Sequence, residues 1–583
     1  MAGMTSIYVG VSGLHSAQTA LNTTTHNLAN VYTKGYTRQL SINADRIYNT
    51  VGQGATSAMQ VGLGVATSVT SRVRDILLDS RYRTEVGRQG FYEAQYDATL
   101  EIQTILGETE GVRFQDSIEK LWSAFGEMAK TPDSIVSRSE LVMYADTFIT
   151  RAQSVYKELA ECQKNLNTKV QNTVDRINEL GDKINELNLK IGGIEATVEN
   201  ANDMRDQRDL YLDELAKYIN ISYEETPGHY VLVKAEGIPF VSEGGVFHMA
   251  TAQLDAEKNS TYLSCIWPHV DNQEVFSLEQ EISTANKNDI GQLKGYLLAR
   301  GDFVADYTNI PETSDYDVST PDGLAAYMAA VREYNKKVDC CSIAKTQALF
   351  DKLINRIVTT INDVFSPTTT EVPAGVTSYT DADGNVYDAA TVKILDMTTS
   401  TGDDGVMPPE ELFSRKNTQR FIEVTGDDGN TYYMYNDKNT LGKESLYTLS
   451  NIELNQTIRE DYSKLPFKTV EKDNDLKKGE VLMNEWGIKQ MNLDPSNMSK
   501  LTFKEFYAQL VYTIGNIGEL YGSVAANQAD AAAEVDDART VITGVSSEEE
   551  LANMIKFQSA YNASSRYVTV VADMLEYLIE KLG

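Results

Sequence analysis

The sequence predicts a mainly α-helical, multi-domain fold with inserted β-rich segments. Three observations support this fold class. The chain has 583 residues, and a typical domain takes roughly 100–200, so several domains are expected. Both chain ends and the long stretch 137–220 carry apolar residues at helical spacing. Hydrophobic residues make up 42% of the chain, which is enough to form packed cores.

The N-terminal segment is predicted to be a helix with a narrow apolar stripe. Its residues alternate at spacings of four and three, as the a and d positions of a heptad do. The stripe consists of Ile7, Val11, Leu14, Gln18, Leu21, Thr25 and Leu28. Because polar residues interrupt it, we expect such a helix to need partners on more than one side.

The C-terminal segment carries a matching pattern. Its predicted seam consists of Leu551, Met554, Gln558, Tyr561, Ser565, Val568, Ala572, Leu575, Ile579 and Leu582. Ser546 or Ser547 is a suitable N-cap, and the glutamates at 548–550 favour a helix start. Residues 1–44 contain Lys34 and Arg38 but no acidic residue, whereas 540–583 is net acidic. This asymmetry has two open interpretations: chance, or contact between the two ends.

The middle of the chain is predicted to contain further helices and two β-rich regions. Residues 137–220 are predicted to form one or two long amphipathic helices in a bundle or an antiparallel coiled coil, with a break or turn of the helix at Gly192-Gly193. Shorter helical patterns cover 72–106, 115–129, 342–365 and 503–541. Strand patterns cover 221–270 and 366–447.

The second β-rich region is acidic and contains two similar turns. Asp383-Gly384 and Asp428-Gly429 both stand between β-forming residues, which is typical of hairpins. Asp381 and Asp383 also suggest a calcium loop, but the remaining spacing of such a loop is missing. The hairpin interpretation is therefore preferred. The acidic charge predicts that residues 366–447 form an inserted, solvent-facing domain.

Composition argues against several classes of function. The chain has 52 basic and 84 acidic residues, a net charge of −32. Such a surface repels nucleic acid and anionic membranes, so neither is an expected partner. No apolar run reaches the roughly 18 residues of a membrane span. The N-terminus lacks the basic and apolar regions of a secretory signal, and four scattered cysteines suggest a reducing compartment.

No catalytic, cofactor or metal motif is found. The five histidines are scattered, and neither a phosphate-binding loop nor a nucleophile elbow occurs. Gly62-Leu63-Gly64 lacks the third glycine of a dinucleotide site. The adjacent Cys340 and Cys341 are interpreted as two ordinary thiols. We therefore predict a protein that is not an enzyme and has no cofactor.

Three blocks resemble one family, the bacterial flagellar axial proteins, which comprise rod, hook and hook-associated proteins. The first block is 27–39, NLANVYTKGYTRQ, with Lys34 where the family usually has Pro. The second, 62–75, contains GLGV and Arg72-x-Arg74-Asp75. The third, 544–578, is similar to the C-terminal helix of the family, with Ser547-Glu548 replacing the usual Leu-Asp.

A fourth block separates members within that family. Residues 202–215 contain Asp206-Gln207-Arg208-Asp209 and resemble a segment of the members that form the junction between hook and filament. The resemblance is weak or absent over 301–341 and 366–447. It implies a structural component of the flagellum that joins hook to filament and self-assembles through coaxial terminal helices. A hook or distal rod protein is the alternative, and an axial scaffold with a glycan-binding or catalytic insert is a second one.

The resemblance also implies partners and a location. The expected partners are other copies of the chain, the hook protein, a second junction protein (hook-associated protein 3) and an export chaperone at the C-terminal helix. The chain would be made in the cytoplasm, exported by the flagellar type III system without a cleaved signal peptide, and work in the extracellular flagellum. A reducing compartment is then only its place of synthesis.

These expectations assign domains and site residues. The expected domains are an N-terminal helix (1–45), a helical core with a β subregion at 221–280 (46–300), a variable segment with a returning helix (301–365), the acidic β insert (366–447), a second part of the core (448–541) and the C-terminal helix (542–583). The expected assembly residues are Ile7, Val11, Leu14, Leu21, Leu28, Asn30, Gly35, Tyr36, Leu551, Met554, Tyr561, Val568, Leu575, Ile579 and Leu582.

Four more positions form the motif of the core. Gly35 is expected to permit a turn that a β-carbon would obstruct. Asp206, Arg208 and Asp209, with Gln207 between them, would form an ion-pair network that fixes the long helices. A solvated charged face is the alternative.

Overall fold

The computed structural model describes residues 2–45, 48–53, 58–107, 114–196, 199–254, 261–278, 282–436, 445–497 and 499–582. Helices dominate these residues. The α-helices are α1 (Ala2–Ala29), α2 (Ile76–Leu106), α3 (Phe114–Lys130), α4 (Ile135–Glu195), α5 (Asn202–Tyr218), α6 (Gln292–Arg300), α7 (Pro321–Tyr334), α8 (Ser342–Phe365), α9 (Gln456–Glu460), α10 (Leu476–Gly487), α11 (Phe503–Thr543) and α12 (Ser547–Leu582).

Short strands lie between the helices in small antiparallel sheets. The strands are β1 (Gln39–Asp45), β2 (Tyr48–Gln53), β3 (Ala58–Gly62), β4 (Val65–Arg72), β5 (Ile221–Glu225), β6 (Val231–Ala235), β7 (Ile238–Ser242), β8 (Gly245–Val246), β9 (Ala250–Gln253), β10 (Leu263–Trp267), β11 (Gln273–Glu274), β12 (Thr368–Thr369), β13 (Ser378–Asp381), β14 (Val386–Asp388), β15 (Ile394–Leu395), β16 (Phe413–Arg415), β17 (Phe421–Gly426), β18 (Thr431–Tyr435) and β19 (Ile452–Leu454). The predicted mainly α fold with inserted β segments is confirmed.

One helix departs from the prediction. α4 continues through Gly192 and Gly193 to Glu195, so the predicted break there is wrong. A glycine in a helix costs about 1 kcal/mol relative to alanine. Packing offsets this cost, because the neighbouring Ile191 is fully buried. Gly192 also lies against the ring of Tyr230, which a β-carbon would approach to 3.2 Å.

The main hydrophobic core joins helices that are far apart in sequence. The ring of Phe114 in α3 lies 5.6 Å from that of Phe148 in α4 and 5.0 Å from that of Phe350 in α8, measured between centroids. Tyr507 in α11 lies 5.3 Å from Phe114. The N-terminal and C-terminal halves of the helical body therefore fold as one unit.

The acidic region forms a six-stranded sheet in the order β12-β15-β18-β17-β13-β14. Gly384 and Gly429 both have a φ of +82° in the two hairpin turns. Asp381 and Asp428 accept hydrogen bonds from backbone N–H groups of their own turns. Across the described ranges, no group of three or more His, Cys, Asp or Glu side chains is arranged to hold a metal ion.

The acidic region is also anchored in the body. Strand β16 pairs with β19, which lies beyond the predicted end of the insert. Phe413 in β16 is fully buried and packs against Phe148, with 6.2 Å between ring centroids. The part of the region around β16 thus belongs to the core of the helical body, whereas the six-stranded sheet has a separate core that includes Tyr379 and Val424.

Strands β1 and β4 were not predicted, because their sequence is rich in Ser, Thr and Asn. They pair in antiparallel register from Gln39 and Arg72 to Asp45 and Val65. This ribbon connects α1 to the helical body. Among the helices described above, none combines the length and the hydropathy needed to cross a bilayer.

Candidate assembly site at the terminal helix pair

Helices α1 and α12 pack against each other along most of α1 and form the terminal helix pair. A β-carbon on Gly10 would lie 2.7 Å from Cγ2 of Val568 and 2.8 Å from Cδ1 of Tyr567. A β-carbon on Gly13 would lie 3.0 Å from Oγ of Ser564. These contacts show that the helices run antiparallel. They also show that the two backbones approach closely because α1 has glycine at the contact.

The contact face of α1 consists of small residues. Gly10 and Gly13 lie at the contact with α12, and Ala17, Ala20 and Thr24 continue their row at spacings of three and four as buried residues. Asn27, the next position of the row, bonds to Gln39. The predicted apolar positions Ile7, Val11, Leu14, Leu21 and Leu28 are only half-buried and flank this face, while Gln18 and Thr25 are exposed. A search for small residues at helical spacing would have found the contact face.

Burial within the chain follows one row of the predicted α12 seam and departs from the other row. Met554, Tyr561, Val568 and Leu575 are at least half-buried, as predicted. The second buried row is Phe557, Ser564 and Val571, rather than Leu551, Gln558, Ala572 and Ile579.

The exposure of the misassigned residues has a simple cause. Leu551 is 48% exposed because it lies on the other side of the helix. Ile579 is 71% exposed. With equal rise per residue in both helices, Ala2 lies level with about residue 576, so Ile579 extends beyond the end of α1. The side chain of Leu582 lies outside the described part of the chain.

The outward face of α12 carries an apolar stripe, which we call the α12 stripe. It consists of Val570, Met574, Tyr577 and Leu578, all of them exposed. These residues line a shallow open groove together with Asp573. Met574 and Tyr577 are each 62% exposed, so no side chain among the described residues covers this face.

The segment after α1 connects the helix pair to the body. Gly35 has a φ of +78°, and a β-carbon there would lie 2.5 Å from Cγ of Leu210 in α5. Both the backbone conformation and the close approach require glycine. The Tyr36 hydroxyl donates to Oδ1 of Asn27 at 2.7 Å. Asn30 donates to the carbonyl of His26 at 3.0 Å and so closes the end of α1.

The two chain ends are also joined by charge. Nε of Arg38 lies 2.8 Å from Oε1 of Glu550, and its Nη1 lies 2.9 Å from Oε2 of Glu549. Glu550 is almost fully buried. The backbone N–H of Arg38 donates to the carbonyl of Thr543 at 2.8 Å. Of the two interpretations of the charge asymmetry, contact between the ends is what the structure shows.

Below this joint lies a buried arginine–aspartate cluster with Asp209 at its centre. The carboxylate of Asp209 lies 2.8 Å from Nη1 of Arg72, 2.9 Å from Nη1 of Arg74 and 3.3 Å from Nη2 of Arg83. Burial alone would raise the pKa of Asp209, but Arg74, Arg72 and Arg83 together hold it below its usual value. The cluster therefore ties α5 to β4 and α2.

Other aspartates complete the cluster. Asp206 accepts from Nη1 of Arg72 at 2.7 Å and from the backbone N–H of Thr37 at 2.9 Å. Burial raises the pKa of Asp206, and Arg72 only partly offsets this effect. Asp213 lies 2.7 Å from both Nε of Arg83 and Nη1 of Arg539.

Gln207 and Arg208 have different roles from the two aspartates. Gln207 donates to the hydroxyl of Tyr211 on the surface of α5. Arg208 points into the body and donates to Oδ1 of Asn188 at 3.0 Å and to the carbonyl of His229 at 2.9 Å. It therefore fixes α5 against α4 and the start of β6.

Sequence reasoning missed the partners of the motif. Arg72, Arg74 and Asp213 were noted only as parts of family blocks, and Arg83 and Arg539 were not noted. A cleft of about 690 Å³ lies above the cluster, between the segment 30–37, α5 and the end of α11. The carboxylates of Asp206, Asp209 and Asp213 there are all engaged by arginines, which suits mechanical attachment.

Three family models match the chain, one in the helical body and two at the terminal helices. The model of the flagellar hook-associated protein FlgK helical domain matches residues 99–314. The model of the flagella basal body rod protein matches residues 7–37. The model of the C-terminal region of the flagellar basal body rod FlgEFG protein matches residues 542–581. The latter two cover the terminal helix pair.

Similarity to characterised proteins extends over the whole chain. Flagellar hook-associated protein 1 of Bacillus subtilis (strain 168) is 24% identical over 592 aligned positions, which cover 100% of this chain and 99% of that protein. The chain therefore resembles the flagellar hook-associated proteins over its whole length. Flagellar hook-associated protein 1 of Escherichia coli (strain K12) is 22% identical and aligns over 98% of both chains.

A solved structure is also similar. The flagellar hook junction protein FlgK from Burkholderia pseudomallei matches with a TM-score of 0.48 and 12% identity, covering 80% of this chain and 100% of that chain. The family resemblance predicted from the sequence blocks is confirmed by the family models and the full-length relatives.

Proposed function

We propose that this chain is a member of the hook-associated protein family and a structural subunit that joins the flagellar hook to the filament and assembles through its terminal helix pair. Family membership supports a structural role in the flagellum. The proposed interface includes the predicted terminal residues, with the half-buried positions of α1 and the α12 stripe facing neighbouring subunits. We propose no catalytic role.

The α12 stripe is the observation that carries the proposal. Burial of one large apolar side chain contributes about 1.5–3 kcal/mol. Four such side chains lie together on α12, and another face of the helix is already packed on α1. An exposed patch of this kind on a soluble protein marks an interaction site.

We propose that a second copy of the chain covers the stripe. Contact between two different faces of identical subunits generates a ring if the rotation closes and a helical array if it does not. The segment that carries the stripe matches the C-terminal model of flagellar rod proteins, which supports an axial arrangement. The hook protein below and hook-associated protein 3 above are the proposed neighbours along the axis.

The export route is also part of the proposal. The four cysteines are free, so no cross-link prevents the chain from being threaded as an extended polymer. We propose export by the flagellar type III system, with a chaperone that shields the α12 stripe before assembly. The acidic sheet would then face outward, because its charge disfavours burial between subunits.

Substitution of one stripe residue tests the proposal. Tyr577→Glu places a charge in the stripe without touching the face that packs on α1. The purified variant should retain the helical content and thermal midpoint of the wild type, because Tyr577 is 62% exposed. In cells that lack the natural protein, electron microscopy should show hooks without filaments.

Asn562→Glu is the matched control. Asn562 is exposed on α12 but lies outside the stripe. The substitution introduces the same negative charge as Tyr577→Glu. We expect complete filaments with this control. Complete filaments with Tyr577→Glu at normal secretion levels would contradict the proposed interface.

A further inference from the structure

Two adjacent thiols lie at the start of α8. Cys340 ends the short π-helix formed by 335–339, and Cys341 is the residue that precedes α8. The Sγ atoms of the two cysteines are 3.4 Å apart. The assembly site described above does not involve this pair, and the relatives' names assign it no role.

The two thiols differ in access to solvent. Cys341 is 6% exposed and packs against Gly301, where a β-carbon would lie 3.6 Å from its Sγ. Cys340 is half-buried, and its thiol donates to the carbonyl of Lys336 at 2.8 Å. A small molecule can therefore reach Cys340 first.

A pocket of about 140 Å³ opens beside both thiols. Lys336, Lys337 and Arg300 line it and supply positive charge, while Asp302 and Glu274 supply negative charge. The hydrogen bond from Cys341 lowers the pKa of Cys340, and the same contact together with burial raises that of Cys341. Cys340 is thus the better nucleophile of the pair.

We propose that Cys340 and Cys341 are a modification site, an oxidisable dithiol that a low-molecular-weight disulfide such as oxidised glutathione converts to a vicinal disulfide. The thiolate of Cys340 attacks one sulfur of the oxidant, and the first glutathione leaves as a thiolate. Cys341 then loses its proton to solvent and attacks Sγ of Cys340, which releases the second glutathione. Two electrons pass from the cysteine pair to the oxidant, which is reduced to two thiols.

The adjacency of the cysteines makes this bond reversible. Consecutive Cα atoms are about 3.8 Å apart, whereas disulfide-bonded cysteines usually have Cα atoms roughly 4.4–6.8 Å apart. Disulfides under such constraint are easily reduced. Cys340 and Cys341 are then free thiols under reducing conditions and form the disulfide in an oxidising environment. The chemistry itself does not depend on the proposed flagellar role.

The buried Cys162 and Cys265 serve as internal controls. Burial raises the pKa of each to about 12, so neither should react in the folded chain. The folded full-length protein is treated with oxidised glutathione, and peptides are analysed by mass spectrometry after blocking of free thiols. We expect the peptide with Cys340 and Cys341 to lose two hydrogen masses and to regain them with dithiothreitol.

Single variants identify the order of attack. Cys341→Ser should accumulate a stable glutathione adduct on Cys340, because the resolving thiol is absent. Cys340→Ser should remain unmodified, because Cys341 is buried. Far-UV circular dichroism checks that both variants are folded. A wild type that stays reduced, or that keeps an unresolved adduct at Cys340, would overturn the proposal.

Discussion

Asp209→Asn removes the central negative charge of the arginine–aspartate cluster and keeps the shape of the side chain. Three arginine nitrogens lie within 3.3 Å of the Asp209 carboxylate. Loss of one partner from a buried ion pair costs about 3–5 kcal/mol. In the variant, Arg72 keeps its ion pair with Asp206, and Arg83 keeps its ion pair with Asp213. We therefore expect a loss at the lower end, about 3 kcal/mol.

The pH dependence gives this prediction a second signature. The pKa of Asp209 is lower in the folded chain than the value of about 3.9 in the unfolded chain. Its stabilising contribution is complete above pH 3.9 and is lost as the pH falls through the folded-state pKa. The difference in unfolding free energy between wild type and Asp209→Asn should therefore be constant near neutral pH and shrink in acid.

Urea unfolding, followed by circular dichroism at several pH values, measures both effects. Asp182→Asn is the matched control, because Asp182 is exposed and, among the described residues, its ion pair is with the exposed His248 at 2.9 Å. Exposed pairs contribute about 0–1 kcal/mol, so this control should stay close to wild type. If Asp209→Asn were as stable as the control, the cluster would be a solvated charged face.

Two further predictions concern the helix pair and a buried lysine. Gly10→Val should separate the terminal helices, because even a β-carbon would lie 2.7 Å from Val568. Amide hydrogen exchange should become faster in α12 and stay unchanged in the helical body. Equal protection of α12 in the variant and the wild type would contradict the close packing. Burial lowers the pKa of Lys478 to about 7, against about 10.4 in the unfolded chain. Between these values the unfolded state holds the extra proton, so the contribution of Lys478 to stability rises with pH by about 2–4 kcal/mol. Lys478→Met should remove that rise. If the free energy of unfolding changed equally from pH 7 to 10 in the variant and the wild type, the lowered pKa of Lys478 would be contradicted.

The terminal helices could be predicted because heptad spacing is a local property of the sequence. The contact face of α1 could not be found in the same way, since Gly10, Ala17 and Ala20 contribute little hydrophobicity. Their importance lies in the close approach of two backbones. Ile579 was misassigned because periodicity does not show where the partner helix ends.

The attachment of the helix pair to the body depends on contacts that are distant in sequence. The motif at 206–209 was noted, but Arg83 and Arg539 lie far from it along the chain. The charge difference between the chain ends did point to the contact of Arg38 with Glu550. Strands β1 and β4 could not be predicted, because their stability comes from pairing with each other and packing on α1.

Site-specific photo-crosslinking in assembled flagella tests the central proposal most directly. A photoreactive phenylalanine analogue replaces Tyr577 in the α12 stripe, and Asn562 is replaced in the control. If the stripe binds a second copy, position 577 should give crosslinked dimers of this chain in assembled flagella, and position 562 should give few or none. Absence of intermolecular crosslinks from position 577 in complete flagella would contradict the account.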